Sequence, residues 1–129
     1  GYAKVPNGVK LAWQHLVDKY LETRRSLCGL IIVMDVRHPL TTFDTHLLHW
    51  CYMAAMPVHI LLTKSDKLSR GAASAVLNKV GMTLKKQYAP GSSGSAEQDV
   101  ITTVQLFSAL KKTGVDEVHI KLDEWLNLR

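Results

Sequence analysis

Residues 61–68 read LLTKSDKL, an apolar run that stops at the polar turn Thr63-Lys64-Ser65-Asp66. With Pro57 in front, VHILL at 58–62 is a short strand, and a buried strand ending in a polar turn is where an open α/β sheet presents its ligand. The crevice of such a sheet lies beyond the carboxyl ends of its strands. The residue types suit guanine. An ionised carboxylate at Asp66 accepts two hydrogen bonds from the adjacent N–H and NH2 donors of that base, an edge that adenine lacks. Lys64 has a methylene stem long enough to lie along a purine face while its ammonium reaches nearby carbonyls. Four residues alone also describe an ordinary strand-to-helix loop, so the surrounding chain decides.

Working outward, a second corner of the same kind lies at 104–114, VQLFSALKKTG, where a strand runs into Ser108-Ala109-Leu110 and a basic turn. Upstream, LIIVMDV at 30–36 is nearly continuous in apolar residues, the mark of a parallel strand covered on both faces. Asp35, Arg37 and His38 follow at its carboxyl end. A catalytic role for His38 needs a nucleophile or metal partner and none stands out, so the reading is a polar turn fixed by Asp35 and Arg37 before Pro39. The strand expected at 100–107 alternates more and is rich in threonine, as near a sheet edge.

Helices fill the intervals. Val9, Trp13, Leu16, Val17, Tyr20 and Leu21 recur on one face of a helix over 9–24, with Arg24-Arg25 at its C-terminal end. Thr41-Thr42-Phe43-Asp44 forms a capping box for a helix to about Ala55, with Phe43, Leu47, Cys51 and Ala54 inward. His46 and His49 lie three apart there, without a third ligand spaced to join them. Ser69 caps a helix to about Tyr88, with Leu77, Val80, Leu84 and Tyr88 inward. Another runs from Val115 to Leu126, with Val115, Val118, Leu122, Trp125 and Leu126 on one side. Residues 1–8 and the Gly-Ser-rich stretch 89–98 read as loops. Right-handed crossovers turn this order into a parallel three-stranded sheet in a three-layer α/β fold, with helices on both faces.

At 129 residues and 47% hydrophobic, the chain suffices for one compact domain and not for two. Cys28 and Cys51 both sit in apolar segments, which favours buried reduced thiols and a cytoplasmic protein over a disulfide framework. No apolar run approaches a membrane span, and residues 1–10 hold no signal-peptide core. The net charge of +5 suits phosphate-rich partners such as RNA, although the doublets Arg24-Arg25, Lys85-Lys86 and Lys111-Lys112 also fit solvated helix ends.

GYAKV at 1–5, DVRHPL at 35–40, LTKSDKLS at 62–69, LFSALKKTG at 106–114 and LDEWL at 122–126 together resemble the EngB (YihA) family of bacterial ribosome-biogenesis GTPases, over essentially the whole chain. The resemblance implies the C-terminal half of a P-loop GTPase domain, with 1–129 a partial EngB-type domain. It carries nucleotide contacts onto Thr63, Lys64, Ser65 and Asp66, then Phe107, Ser108 and Ala109, the backbone N–H of Ala109 meeting the guanine carbonyl. It implies a whole protein that binds GTP or GDP, hydrolyses GTP slowly with magnesium, assists assembly of the large ribosomal subunit and its rRNA, and is needed for normal cell division and septation.

The family's G-x-x-x-x-G-K-S/T phosphate loop, switch threonine and D-x-x-G segment do not occur in these 129 residues. Gly91-Ser92-Ser93-Gly94-Ser95 has no following lysine and no strand feeding it, so it does not supply the loop. The expectation is therefore a chain with no catalytic and no metal-binding residues of its own, inactive in hydrolysis. A charge-assisted hydrogen bond contributes about 1.5 to 3 kcal/mol, so base contacts alone leave binding near millimolar, about 4 kcal/mol. The strand at 30–36 would normally pair with the phosphate-loop strand. Its open apolar edge leads us to expect dimerisation, aggregation, or completion by an N-terminal half. The alternative is a non-catalytic RNA- or ribosome-binding α/β module using its basic helix ends. A small-molecule enzyme of flavodoxin-like shape lacks an acid, base and nucleophile set.

Overall fold

Strands form where β-branched and long aliphatic residues cluster: Leu30–Asp35 (β1), Val58–Thr63 (β2) and Thr102–Leu106 (β3). The computed structural model describes His15 and residues 28–88 and 102–126. The helix expected over 9–24, with Trp13, and the loops expected over 1–8 and 89–98 lie outside the described residues. The strands are parallel in the order β1-β2-β3, with Leu30 opposite Val58 and Val58 opposite Thr102. The helices are Thr42–Met53 (α1), Arg70–Tyr88 (α2) and Val115–Leu126 (α3).

The two-residue period of the strands sorts the side chains between two faces. Ile32 and Met34 of β1 and Val58, Ile60 and Leu62 of β2 join Leu47, Leu48, Cys51 and Tyr52 of α1 and Val80, Leu84 and Tyr88 of α2 in one buried cluster. The rings of Tyr52 and Tyr88 meet with centroids 5.3 Å apart and a 56° tilt. Burial pushes the Cys51 thiol up to about 11, so it is an inert apolar side chain. On the opposite face lie His59, Leu61 and Gln105, with α3 beside them. The Trp125 ring packs so near Gly29 that a Cβ there would be 2.7 Å from it. Helices thus lie against both faces, though the α3 side covers the sheet only in part.

The capping box is present: Thr41 N–H donates to Asp44 Oδ2 at 3.0 Å, and Asp44 N–H donates to Thr41 Oγ1 at 3.2 Å. Burial raises the Asp44 pKa, opposed by these two bonds. Ser69 Oγ likewise accepts from Ala72 N–H at the start of α2.

Five expectations are corrected. Cys28 is exposed, because it precedes β1 rather than lying in it. Ala54 is exposed because α1 ends at Met53 and leaves it at the C-cap. β1 is not covered on both faces: Val33 is 61% exposed at the sheet margin. No residue of α3 is buried, and its Leu126 is 55% exposed, so its apolar side is only partly covered. Phe107 falls just past the end of β3 and belongs to the corner that follows.

Two polar residues are buried within the strands, His59 of β2 and Gln105 of β3. His59 is 5% exposed, and burial holds its imidazole below the ordinary 6.5, against the raising effect of its bond to Gln105. The folded chain keeps it neutral while the unfolded chain takes up a proton, so its stability contribution is full above pH 6.5 and is lost as pH falls below that value toward the folded pKa. The urea midpoint should therefore drop between pH 7.5 and 5.5, and His59→Asn should flatten that slope. Equal slopes in the two proteins refute it.

Candidate functional site

Because β2 and β3 are parallel neighbours, their carboxyl ends emerge side by side, and each continues into a polar corner. Phe107 N–H donates to Leu62 O at 2.9 Å, and Ser65 N–H donates back to Phe107 O at 3.1 Å. These bonds extend the ladder beyond β3 and stitch the two corners together, although they are about forty residues apart. In the first corner, Thr63 Oγ1 donates to Met34 O at 3.2 Å, tying β2 to β1. Lys64 then turns into the left-handed region, with φ 58° and ψ 33°, and starts a short 3-10 turn over Ser65–Lys67. A lysine gains nothing from that conformation by itself; the sharp turn redirects the chain so that Asp66 meets the second corner.

Ser108 Oγ donates to Asp66 Oδ1 at 2.7 Å. The same oxygen accepts from Lys111 N–H at 3.1 Å, so its single proton is committed to the carboxylate. Ser108 is fully buried, and the hydroxyl, followed by Lys67 and Lys111, holds the Asp66 carboxyl below its usual range against some desolvation. A carboxylate has about four acceptor positions, so one bond from Ser108 leaves room for two further donors. The loop beyond is closed by a pair of bonds between Ser108 and Thr113, both 3.0 Å, and carries Ala109 exposed. Thr63, Lys64, Ser65, Asp66, Phe107 and Ser108 are therefore in one place, with Ala109 next to them.

Residues 35–37 add a third contribution. The turn expected from Asp35 and Arg37 is present: Arg37 donates through Nε to Asp35 Oδ1 at 3.0 Å, through Nη2 to Oδ2 at 2.8 Å, and through its backbone N–H to Oδ1 at 2.9 Å. The Arg37 guanidinium holds the Asp35 carboxyl far below the usual carboxylate range. Asp35 pairs with Thr63 across the ladder, which brings Oδ2 to 3.7 Å from Lys64 Nζ. The sequence reading stopped at Asp35 as a turn residue and missed this link to Lys64. Its signal was available: parallel strands of matched length end level, so their first polar residues become neighbours.

Asp35→Asn should release Lys64 from this exposed ion pair, a loss of no more than about 1 kcal/mol for that contact. A double-mutant cycle with Lys64→Met in urea unfolding would read the coupling, and a value well above that figure would refute it.

Chemically, the corner is a fixed anionic acceptor ringed by cations, suited to a planar group that offers adjacent donors. Among the described residues no three His, Cys, Asp or Glu side chains are grouped to hold a metal, and no helix is long and apolar enough to cross a membrane.

No family model matches the sequence. Among curated proteins, the chain is 44% identical over 128 residues to a probable GTP-binding protein EngB of Nitrosococcus oceani, covering 99% of this chain and 58% of that protein. It is 47% identical over 126 residues to a protein of the same name from an Azoarcus species, covering 98% of this chain and 56% of that one. The chain thus spans a little over half the length of these relatives. Among solved structures, it resembles translation elongation factor SelB of Methanococcus maripaludis in its apo form, with a TM-score of 0.60 at 19% identity over 77% of this chain and 20% of that one. The same factor with the GTP analogue GppNHp gives a TM-score of 0.56 at 21% identity, over 75% of this chain and 20% of that one. At such identity these two structures speak for the fold.

Proposed function

We propose, from the premise that this chain is kin to the EngB proteins over 99% of its length, that it supplies the guanine-reading half of a GTP-binding protein. The observation that carries the reading is the Ser108–Asp66 hydrogen bond, which joins the two corners and orients a carboxylate with acceptor positions to spare. Asp66 accepts from the N1–H and 2-amino group of guanine, the Lys64 stem lies along the ring, and the Ala109 N–H meets the carbonyl at position 6. Thr63, Ser65 and Phe107 hold these in place through backbone and hydroxyl bonds. The described corner residues fit the base, and the contacts to the phosphates and to magnesium, together with any hydrolysis of GTP, would come from elsewhere in a longer protein that contains this sequence.

In that longer, cytoplasmic protein the nucleotide state would govern work on the large ribosomal subunit and its rRNA, and through it cell division and septation. This part of the proposal rests on the family resemblance. The reading as an RNA-binding module without nucleotide has in its favour only the net charge of +5.

The deciding experiment is competition on the longer protein between GDP and ADP for a fluorescent guanine nucleotide, at two salt concentrations. The base reading expects GDP to compete strongly and ADP not at all. RNA binding that falls steeply with salt, without discrimination between the two nucleotides, would favour the module instead.

A further inference from the structure

We propose that Gln105, itself held by His59, is a positioning residue for the base site: it clamps both ends of the loop that presents Ala109. The inference rests on the guanine reading above.

Gln105 is 3% exposed, and its side-chain Nε2 donates to Leu106 O at 3.1 Å and to Gly114 O at 2.8 Å. Both amide protons are thereby used. The orientation of the amide follows, and its Oε1 is left as acceptor. His59 Nε2 lies 2.6 Å from that oxygen, so Nε2 carries the imidazole proton and donates it. His59 Nδ1 must then accept, and Thr103 Oγ1 stands 2.7 Å away to donate. Thr103 Oγ1 also lies 3.4 Å from Val58 O, and its one proton goes to the much shorter contact with His59.

The two carbonyls that Gln105 grips bracket residues 107–113, the segment that contains Ser108 and Ala109. One buried side chain therefore fixes the span of the loop at its base, while the Ser108–Thr113 pair closes it above. Gly114 shows how close the grip is: a Cβ there would lie 2.6 Å from Gln105 Nε2. Gln105 touches no part of the ligand site, so its effect passes through the position of the Ala109 N–H. Ser108, which orients Asp66, lies in the same loop, but the turn that carries Asp66 is held on its own side by Thr63 Oγ1 on Met34 O and by Lys67 N–H on Lys64 O, and Asp66 reads a different edge of the base.

That separation makes the clamp testable. Inosine diphosphate lacks the 2-amino group read by Asp66, whereas 6-thio-GDP replaces the oxygen met by Ala109 with sulfur, a weaker acceptor. In the longer protein, Gln105→Met keeps length and volume but removes both donors. We expect GDP affinity to fall on the order of tenfold, the loss of about one hydrogen bond. The preference for GDP over 6-thio-GDP should shrink toward one, and the preference for GDP over IDP should persist. If both preferences stay at their wild-type values, or both fall together, Gln105 is only a packing residue and the proposal is overturned. Should the Met variant not fold, the same two ratios are read in His59→Asn, which leaves Gln105 Oε1 without its donor. A wild-type protein that does not distinguish GDP from IDP overturns the base reading and the clamp together, whereas normal wild-type discrimination with unmoved variant ratios overturns the clamp alone.

Discussion

Asp66→Asn is expected to turn the base preference from guanine toward xanthine nucleotides. The carboxylate offers two acceptors to the two adjacent donors of guanine; an asparagine amide offers one acceptor and one donor, which matches the carbonyl that xanthine carries at position 2. Guanine then loses two charge-assisted bonds of about 1.5 to 3 kcal/mol each, so its affinity should fall at least a hundredfold. The corner itself should survive, because Ser108 Oγ–H can donate to the asparagine oxygen where it now donates to Asp66 Oδ1. Competition between GDP and XDP on the longer protein reads the exchange, with thermal melting as the control. Guanine selectivity that is unchanged in the variant rejects the assignment of Asp66.

Gly114→Ala should destabilise the chain by about 2 to 4 kcal/mol through two additive causes, a left-handed backbone that disfavours a side chain and a collision. Gly114 has φ +82°, and a Cβ would stand 2.3 Å from Leu106 O, a backbone atom that cannot swing aside. Relief requires the 107–113 loop to move away from β3, which breaks the Gln105 grip on Gly114 O at the same time. Urea unfolding of the two proteins would measure the loss. A variant with the wild-type midpoint would show that the loop gives way without cost, contrary to the clamp.

Much of the fold was legible because its signals are local. Continuous aliphatic runs marked β1 and β2, the Thr41–Asp44 box marked the start of α1, and two strands ending in polar corners implied neighbouring corners once the sheet was parallel. What stayed hidden depends on register and depth. Nothing local distinguishes His59, in the apolar run VHILL, from a histidine on a solvated face. Its partners Thr103 and Gln105 are 44 and 46 residues away and become partners only when Val58 falls opposite Thr102. The exposure of Val33 was equally invisible, since a run of aliphatics states that a strand is suited to burial and not which neighbours supply it. The left-handed Lys64 had no glycine or asparagine to announce it. Within the candidate site, residue types gave Asp66 and Lys64 their chemistry; Ser108 as the partner that orients Asp66, and Asp35 as the tether of Lys64, required the coordinates.

The seam between Leu62, Ser65 and Phe107 also dictates an order of events as the polypeptide emerges during synthesis. β1, α1, β2 and α2 can collapse around the Ile60 cluster from the first sixty or so described residues, yet Asp66 acquires its hydroxyl partner only after Ser108 has been made. On the proposed reading, recognition of the base would thus be a late product of translation. Nascent chains arrested before Phe107 would be folded in part and blind to guanine, and cellular nucleotide would stabilise only molecules that have completed β3.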